Sequence, residues 1–176
     1  MVQKYPPLEL PPLECLAEVA SRLGRTGVPY ALGGSGLLCA LGLARRARDW
    51  DLTTDVPFAE LLGPLRDLEP ESVGPGGIHR DHKLRFAGGA IELIVQMSIQ
   101  APAGPCRIPT VVSAISEGIP LGSPEAWAAA YWLRGRLAKA DLLLGYLRGR
   151  GADPVIVGRL LREPLPAELA STLRGL

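Results

Sequence analysis

Asp49 and Asp51 flank a tryptophan in the run Arg48-Asp49-Trp50-Asp51-Leu52. Read as a strand, the run puts both carboxylates on one face, because residues two apart on a strand point the same way. Carboxylates so paired suit a hard divalent cation such as Mg²⁺ or Mn²⁺, which takes oxygen ligands from protein and from substrate phosphates. Upstream, Tyr30-Ala31-Leu32-Gly33-Gly34-Ser35-Gly36 reads as a strand, a glycine turn and the start of a helix, with Ser35 as its N-cap. Backbone N–H groups at such a turn favour a phosphate. A phosphate cradle followed closely by a carboxylate pair points to nucleotide chemistry.

Each piece alone is weak. Glycines end strands in ordinary turns, and two aspartates at a strand end are commonly just solvated. The turn is neither a Walker loop nor a complete G-x-G-x-x-G. In combination, G-G-S-G, a short helix with Gly42, and then R-x-x-D-x-D-L resemble the signature of the nucleotidyltransferase superfamily related to DNA polymerase beta. The small minimal and antibiotic-type members are the most similar. The match is good over residues 30–52, plausible over the next forty or so, and weak beyond.

The resemblance implies that Gly33, Gly34 and Ser35 hold the triphosphate of a nucleotide. It implies further that Asp49, Asp51 and a third carboxylate on a later strand bind two Mg²⁺ ions. Glu92, in Ala90-Ile91-Glu92-Leu93-Ile94-Val95-Gln96, stands where the family usually has Asp. Arg48, the last of the run Arg45, Arg46, Arg48, is placed to neutralise phosphate. The implied reaction moves a nucleoside monophosphate from a nucleoside triphosphate to an acceptor hydroxyl, with Asp49, Asp51 and Glu92 as the catalytic, metal-binding set. The acceptor, a small molecule or a protein, is unknown. The implied fold is a small mixed sheet with helices on one face and the site on the other. Small relatives also include antitoxin-type partners. The alternative is therefore a weak or inactive binding protein, as a homodimer or with a toxin-type partner, and an aromatic helix could form a dimer interface.

Several residues have competing readings. The bland reading of Glu92 is a salt bridge with Arg85 or Lys83 across a hairpin, and a metal ligand is the better one. As a metal ligand it would share a strand face with Gln96, and Asp55 is the runner-up for the third carboxylate. His79 and His82 read as surface residues of a polar strand. The stretch Arg134-Gly135-Arg136-Leu137-Ala138-Lys139-Ala140-Asp141 resembles the family's R-x-K-D-x-x-D imperfectly, so Arg136, Lys139 and Asp141 carry no assigned role. Trp127, Tyr131 and Trp132 have helical spacing and read as core or interface.

Composition bounds the rest. The 176 residues are 47% hydrophobic and 21% charged, enough for a real core. A formal net charge of +1 gives no global case for nucleic acid or an anionic membrane. Cys15, Cys39 and Cys106 have no C-x-x-C spacing and read as reduced thiols of a cytoplasmic protein. Lys4 and the Pro-rich start do not make a signal peptide. Thr26 to Ala44 is uncharged and long enough to span a bilayer, but Pro29 and its glycines favour a core strand and a buried helix, so no membrane partner is expected.

The chain divides into an α/β (α+β) core over residues 1–122 and a C-terminal helical segment over 123–176. Helices are expected at Pro12–Arg25, Ser35–Leu43 and Pro57–Leu68, and strands at Val28–Leu32 and Arg48–Thr53. Ile78–Phe86 and Ala90–Ile99 read as a hairpin, its first strand an edge or cleft-facing one. Residues 69–77 and 100–122 read as loops, the second with a short strand at Pro109–Val112. Ser123 caps a helix through Leu137, and others follow at Lys139–Arg148, Pro154–Leu161 and Pro166–Leu173.

Overall fold

The computed structural model describes residues 7–176; Lys4 and the first part of the Pro-rich start lie outside the described residues. Apolar residues at helical spacing make α1 (Leu13–Arg25), which buries Leu16, Val19, Ala20 and Leu23. It leads into β1 (Ala31–Leu32), α2 (Gly34–Ala40), β2 (Trp50–Thr54) and α3 (Phe58–Leu65). Then come β3 (Glu71–Val73), β4 (His82–Phe86), β5 (Ile91–Val95), β6 (Ser98–Ala101), β7 (Gly104–Arg107), β8 (Val112–Ser116) and β9 (Ile119–Gly122). The chain ends in α4 (Pro124–Leu133), α5 (Leu137–Arg150), α6 (Pro154–Leu160) and α7 (Ala167–Arg174).

A seven-stranded mixed sheet runs in the order β3-β4-β5-β2-β1-β9-β8, and β6-β7 forms a separate ribbon. At its centre β2 and β5 are parallel, with Asp51 opposite Glu92 and Leu52 opposite Leu93. Leu52, Leu84 and Leu93, fully buried, share a cluster with Leu16, Leu23, Leu61 and Leu65 from α1 and α3. The opposite parity carries Asp51 and Glu92, so strand alternation separates chemistry from core.

Three expectations need correction. Residues 100–122 are not a loop: β8 and β9 belong to the main sheet, and β9 pairs parallel with β1. Glu117 and Gly118 both have positive φ (49° and 81°), which turns a two-residue hairpin with the twist that strands prefer. The Glu69–Gly77 stretch contains the edge strand β3, which makes β4 an interior strand. Gly33, not Ser35, occupies the N-cap of α2, and no side chain caps it. Of the two readings of the aromatic helix, core holds for α4. Eight of its residues, from Pro124 to Tyr131, are buried, so Trp127 and Tyr131 are core rather than a dimer face.

Ser123 does cap α4: its Oγ accepts from Ala126 N (3.1 Å) and donates to the buried Glu125 carboxylate (2.7 Å). Ser123→Ala is expected to cost about 1–2 kcal/mol, because it loses the cap and takes a donor from a buried charge. Chemical denaturation of the two proteins would measure it.

Candidate active site

Adjacent glycines make the turn for different reasons. A Cβ on Gly33 would lie 1.9 Å from the Trp127 ring, so α4 packs directly on this residue. A Cβ on Gly34 would lie 1.9 Å from Asp51 Oδ2, and Gly34 has φ +56°. Gly33 is thus a packing requirement, and Gly34 lets the turn close onto the carboxylate. Gly33 N donates to Asp51 O (2.8 Å), and the first helical bond of α2 is Leu37 N to Gly33 O (2.9 Å). The amides of Gly34, Ser35 and Gly36 therefore precede the hydrogen-bonded turn, as phosphate-binding amides would.

Asp51 is the electrostatic centre. Its carboxyl is pushed up to about 6, by burial first and then by Asp49, with Glu92 adding to the effect and Arg134 and Lys83 opposing it. Asp49 lies in the bend before β2 rather than inside it, and its charge still reaches Asp51. A carboxyl held protonated by burial and by a neighbouring carboxylate belongs to a donor set short of a cation, which one Mg²⁺ or Mn²⁺ fits.

Glu92 shares the face of Asp51 but is already paired. Lys83 Nζ donates to Oε2 (2.8 Å) and Arg85 Nε to Oε1 (2.7 Å). Burial would raise its carboxyl, and these two ion pairs outweigh burial and hold it below the ordinary value. Among the described residues, no three His, Cys, Asp or Glu side chains converge as a metal cage. The cross-hairpin salt bridge is thus present with both candidate cations. Gln96 is off the strand: it has φ 52° and donates from Nε2 to Asp55 O (3.3 Å). Asp55 accepts from Thr110 N (3.2 Å) and lies 3.7 Å from Arg159, so it anchors a loop rather than completing the site.

Lys139 is the residue that sequence reasoning left without a role. Its Nζ donates to Ser35 Oγ (2.7 Å) and lies 5.3 Å from the centre of the Tyr131 ring. Its ammonium is held below the ordinary value by burial and then by Arg136. The weak match around residues 134–141 was the signal, and the contact spans 104 positions, too far for local pattern to reveal. Arg134 also arrives from this segment: it stacks over Trp127 (5.7 Å) and lies in the field of Asp51. Arg136 and Asp141 are exposed.

Of the arginine run, Arg46 pairs with Glu9 (3.2 Å), and Arg45 O accepts from Glu9 N (2.8 Å). Arg48 is exposed, near enough to act on Lys139. His82 stacks on Phe58 of α3 at 4.8 Å, on the helical side of the sheet. His79 Nδ1 lies 3.9 Å from the fully buried Asp81 carboxylate. An apolar cavity of about 420 Å³ beside α2, lined by residues such as Leu13, Leu16 and Trp50, contains none of the three candidate carboxylates.

No helix among the described residues is long and apolar enough to cross a membrane. No protein-family model matches the sequence, and no curated protein matches it. Solved structures do match in three dimensions. A candidate nucleotidyltransferase of Thermotoga maritima, TM1012, superposes with a TM-score of 0.54 at 21% identity, covering 78% of this chain and 92% of its own. The antibiotic-resistance factor ANT(2'')-Ia in solution gives 0.56 at 14% identity, covering 93% of this chain and 89% of its own. A crystal structure of ANT(2'')-Ia with adenylyl-2''-tobramycin gives 0.54 at 13% identity, covering 93% and 98%. The chain therefore has a nucleotidyltransferase-like fold.

Proposed function

We propose that this protein binds a nucleoside triphosphate with Mg²⁺ or Mn²⁺ and transfers its nucleoside monophosphate to an acceptor hydroxyl. The observation that carries the reading is the convergence at Gly34, whose missing side chain makes room for the Asp51 carboxylate beside the turn whose Ser35 carries Lys139. Glycine against a carboxylate, the first amides of α2 and an ammonium on the turn suit a polyphosphate with its cation.

In this reading the amides of Gly34 to Gly36 and the Lys139 ammonium bind the β- and γ-phosphates. Arg48 adds charge at the rim. Asp49 and Asp51 would hold the cation, which when bound offsets charge on the triphosphate and favours pyrophosphate as leaving group. Arg134 adds a positive charge in the field of Asp51. Catalysis of this kind is largely positioning and electrostatics. The acceptor is a small molecule or a protein with a free hydroxyl, and three free thiols suit a cytoplasmic protein.

The pairing of Glu92 with Lys83 and Arg85 favours a second reading, a nucleotide-binding or regulatory protein, homodimeric or bound to a toxin-type partner, with little turnover. Incubation with each α-labelled triphosphate and Mg²⁺, with and without hydroxyl acceptors, separates the two. Labelled adduct with released pyrophosphate supports transfer, retained intact triphosphate supports the binding protein, and neither rejects both. Lys139→Met is expected to weaken triphosphate binding by about tenfold, the worth of one charge-assisted contact. Calorimetric titration would check it.

A further inference from the structure

Glu92 holds the position of a third metal ligand without being available as one. Its carboxylate faces the same way as that of Asp51, its register partner on β2. The two oxygens are divided between two cations, Lys83 at 2.8 Å and Arg85 at 2.7 Å. Both cations are products of the sheet's pairing: Arg85 is directly opposite Glu92 on β4, and Lys83 is two residues along on the same face. The Glu92 and Lys83 side chains are only 13% and 18% exposed, so water screens the pair poorly. Breaking a pair in such a place leaves a charge uncompensated.

We infer that Lys83 and Arg85 occupy the place on Glu92 that a second divalent cation would need, leaving a site for one ion at Asp49 and Asp51. This rests on the metal-and-nucleotide reading above and specifies its stoichiometry. A divalent ion arriving at Glu92 would meet an ammonium and a guanidinium in hydrogen-bond contact with the same carboxylate, and like charges so close repel strongly. Lys83 also acts on Asp51, so its fixed positive charge serves both carboxylates at once. Glu92 is then a positioning residue that holds Lys83 and Arg85.

The test is a titration with Mn²⁺ alone, reading free ion by electron paramagnetic resonance, on the wild type and on a Lys83→Gln/Arg85→Gln double variant. The wild type is expected to take one ion per chain and the double variant two. A wild type that takes two overturns the inference while leaving the Asp49–Asp51 site standing. A wild type that takes none removes that site and the inference together. A folded variant that still takes one ion overturns the assignment of the block to Lys83 and Arg85. Should the double variant not fold, Lys83→Gln alone replaces it, with the same readings.

Discussion

Asp51→Asn is expected to weaken metal binding sharply and, in metal-free protein near neutral pH, to make the fold more stable. The carboxyl sits at about 6 against an ordinary 3.8, so the folded chain holds its proton more tightly than the unfolded chain does. A group raised in this way contributes stability below the unfolded value and loses it as pH rises through the folded one. Above about pH 6 the charge therefore costs the fold about 1–3 kcal/mol, taken low because Asp51 keeps some contact with solvent. Asparagine removes that cost, and the melting temperature should rise by about 2–10 °C. The gain should shrink as pH falls from about 6 and vanish below the ordinary 3.8, where aspartic acid becomes neutral in both states. Mn²⁺ affinity should fall by about 100-fold or more, since losing even an outer-shell partner of a metal costs 10–100-fold. Thermal scans with and without Mn²⁺ at several pH values would check both. A variant less stable at neutral pH, with unchanged metal affinity, would remove Asp51 from the site.

Gly34→Ala carries the second large effect. Its Cβ would arrive 1.9 Å from Asp51 Oδ2 on a residue at φ +56°, so the turn or the carboxylate must move. A shift of about 1 Å in a catalytic group can cost about 100-fold, and a loss of that order in triphosphate affinity is expected. Gly27→Ala is the control. Gly27 also has positive φ (71°), but a Cβ there meets nothing within 4 Å. It should lose about 1–2 kcal/mol of stability from backbone strain and leave nucleotide affinity unchanged. Equal losses of affinity in both variants would mean that the turn acts through stability alone.

The legible part of the fold was the local part. Apolar spacing gave α1, and the S-P-E start gave α4 and its cap, because period and capping are written in neighbouring residues. Asp51 and Glu92 are also local signals, each a carboxylate at a defined parity in an apolar strand. The β8–β9 hairpin was missed because its strands are short, β8 is exposed, and its turn is Glu117-Gly118 rather than Asn-Gly or Asp-Gly. The N-cap was misplaced because Ser35 is a strong capping type, yet in the fold its hydroxyl accepts from Lys139 instead. That contact, like the arrival of Arg134 near Asp51, depends on α4 packing against Gly33, a tertiary event. The burial of Trp127 was foreseen; its seat on Gly33 was not.

The most direct test of the central claim is equilibrium binding of a nucleoside triphosphate with and without Mg²⁺, measured on the wild type and on Asp51→Asn. Mg²⁺ is expected to tighten wild-type binding by about tenfold or more, one charge-assisted contact's worth, and to do nothing for the variant. Triphosphate binding indifferent to Mg²⁺, or an Asp51→Asn variant that responds to Mg²⁺ as the wild type does, would contradict it.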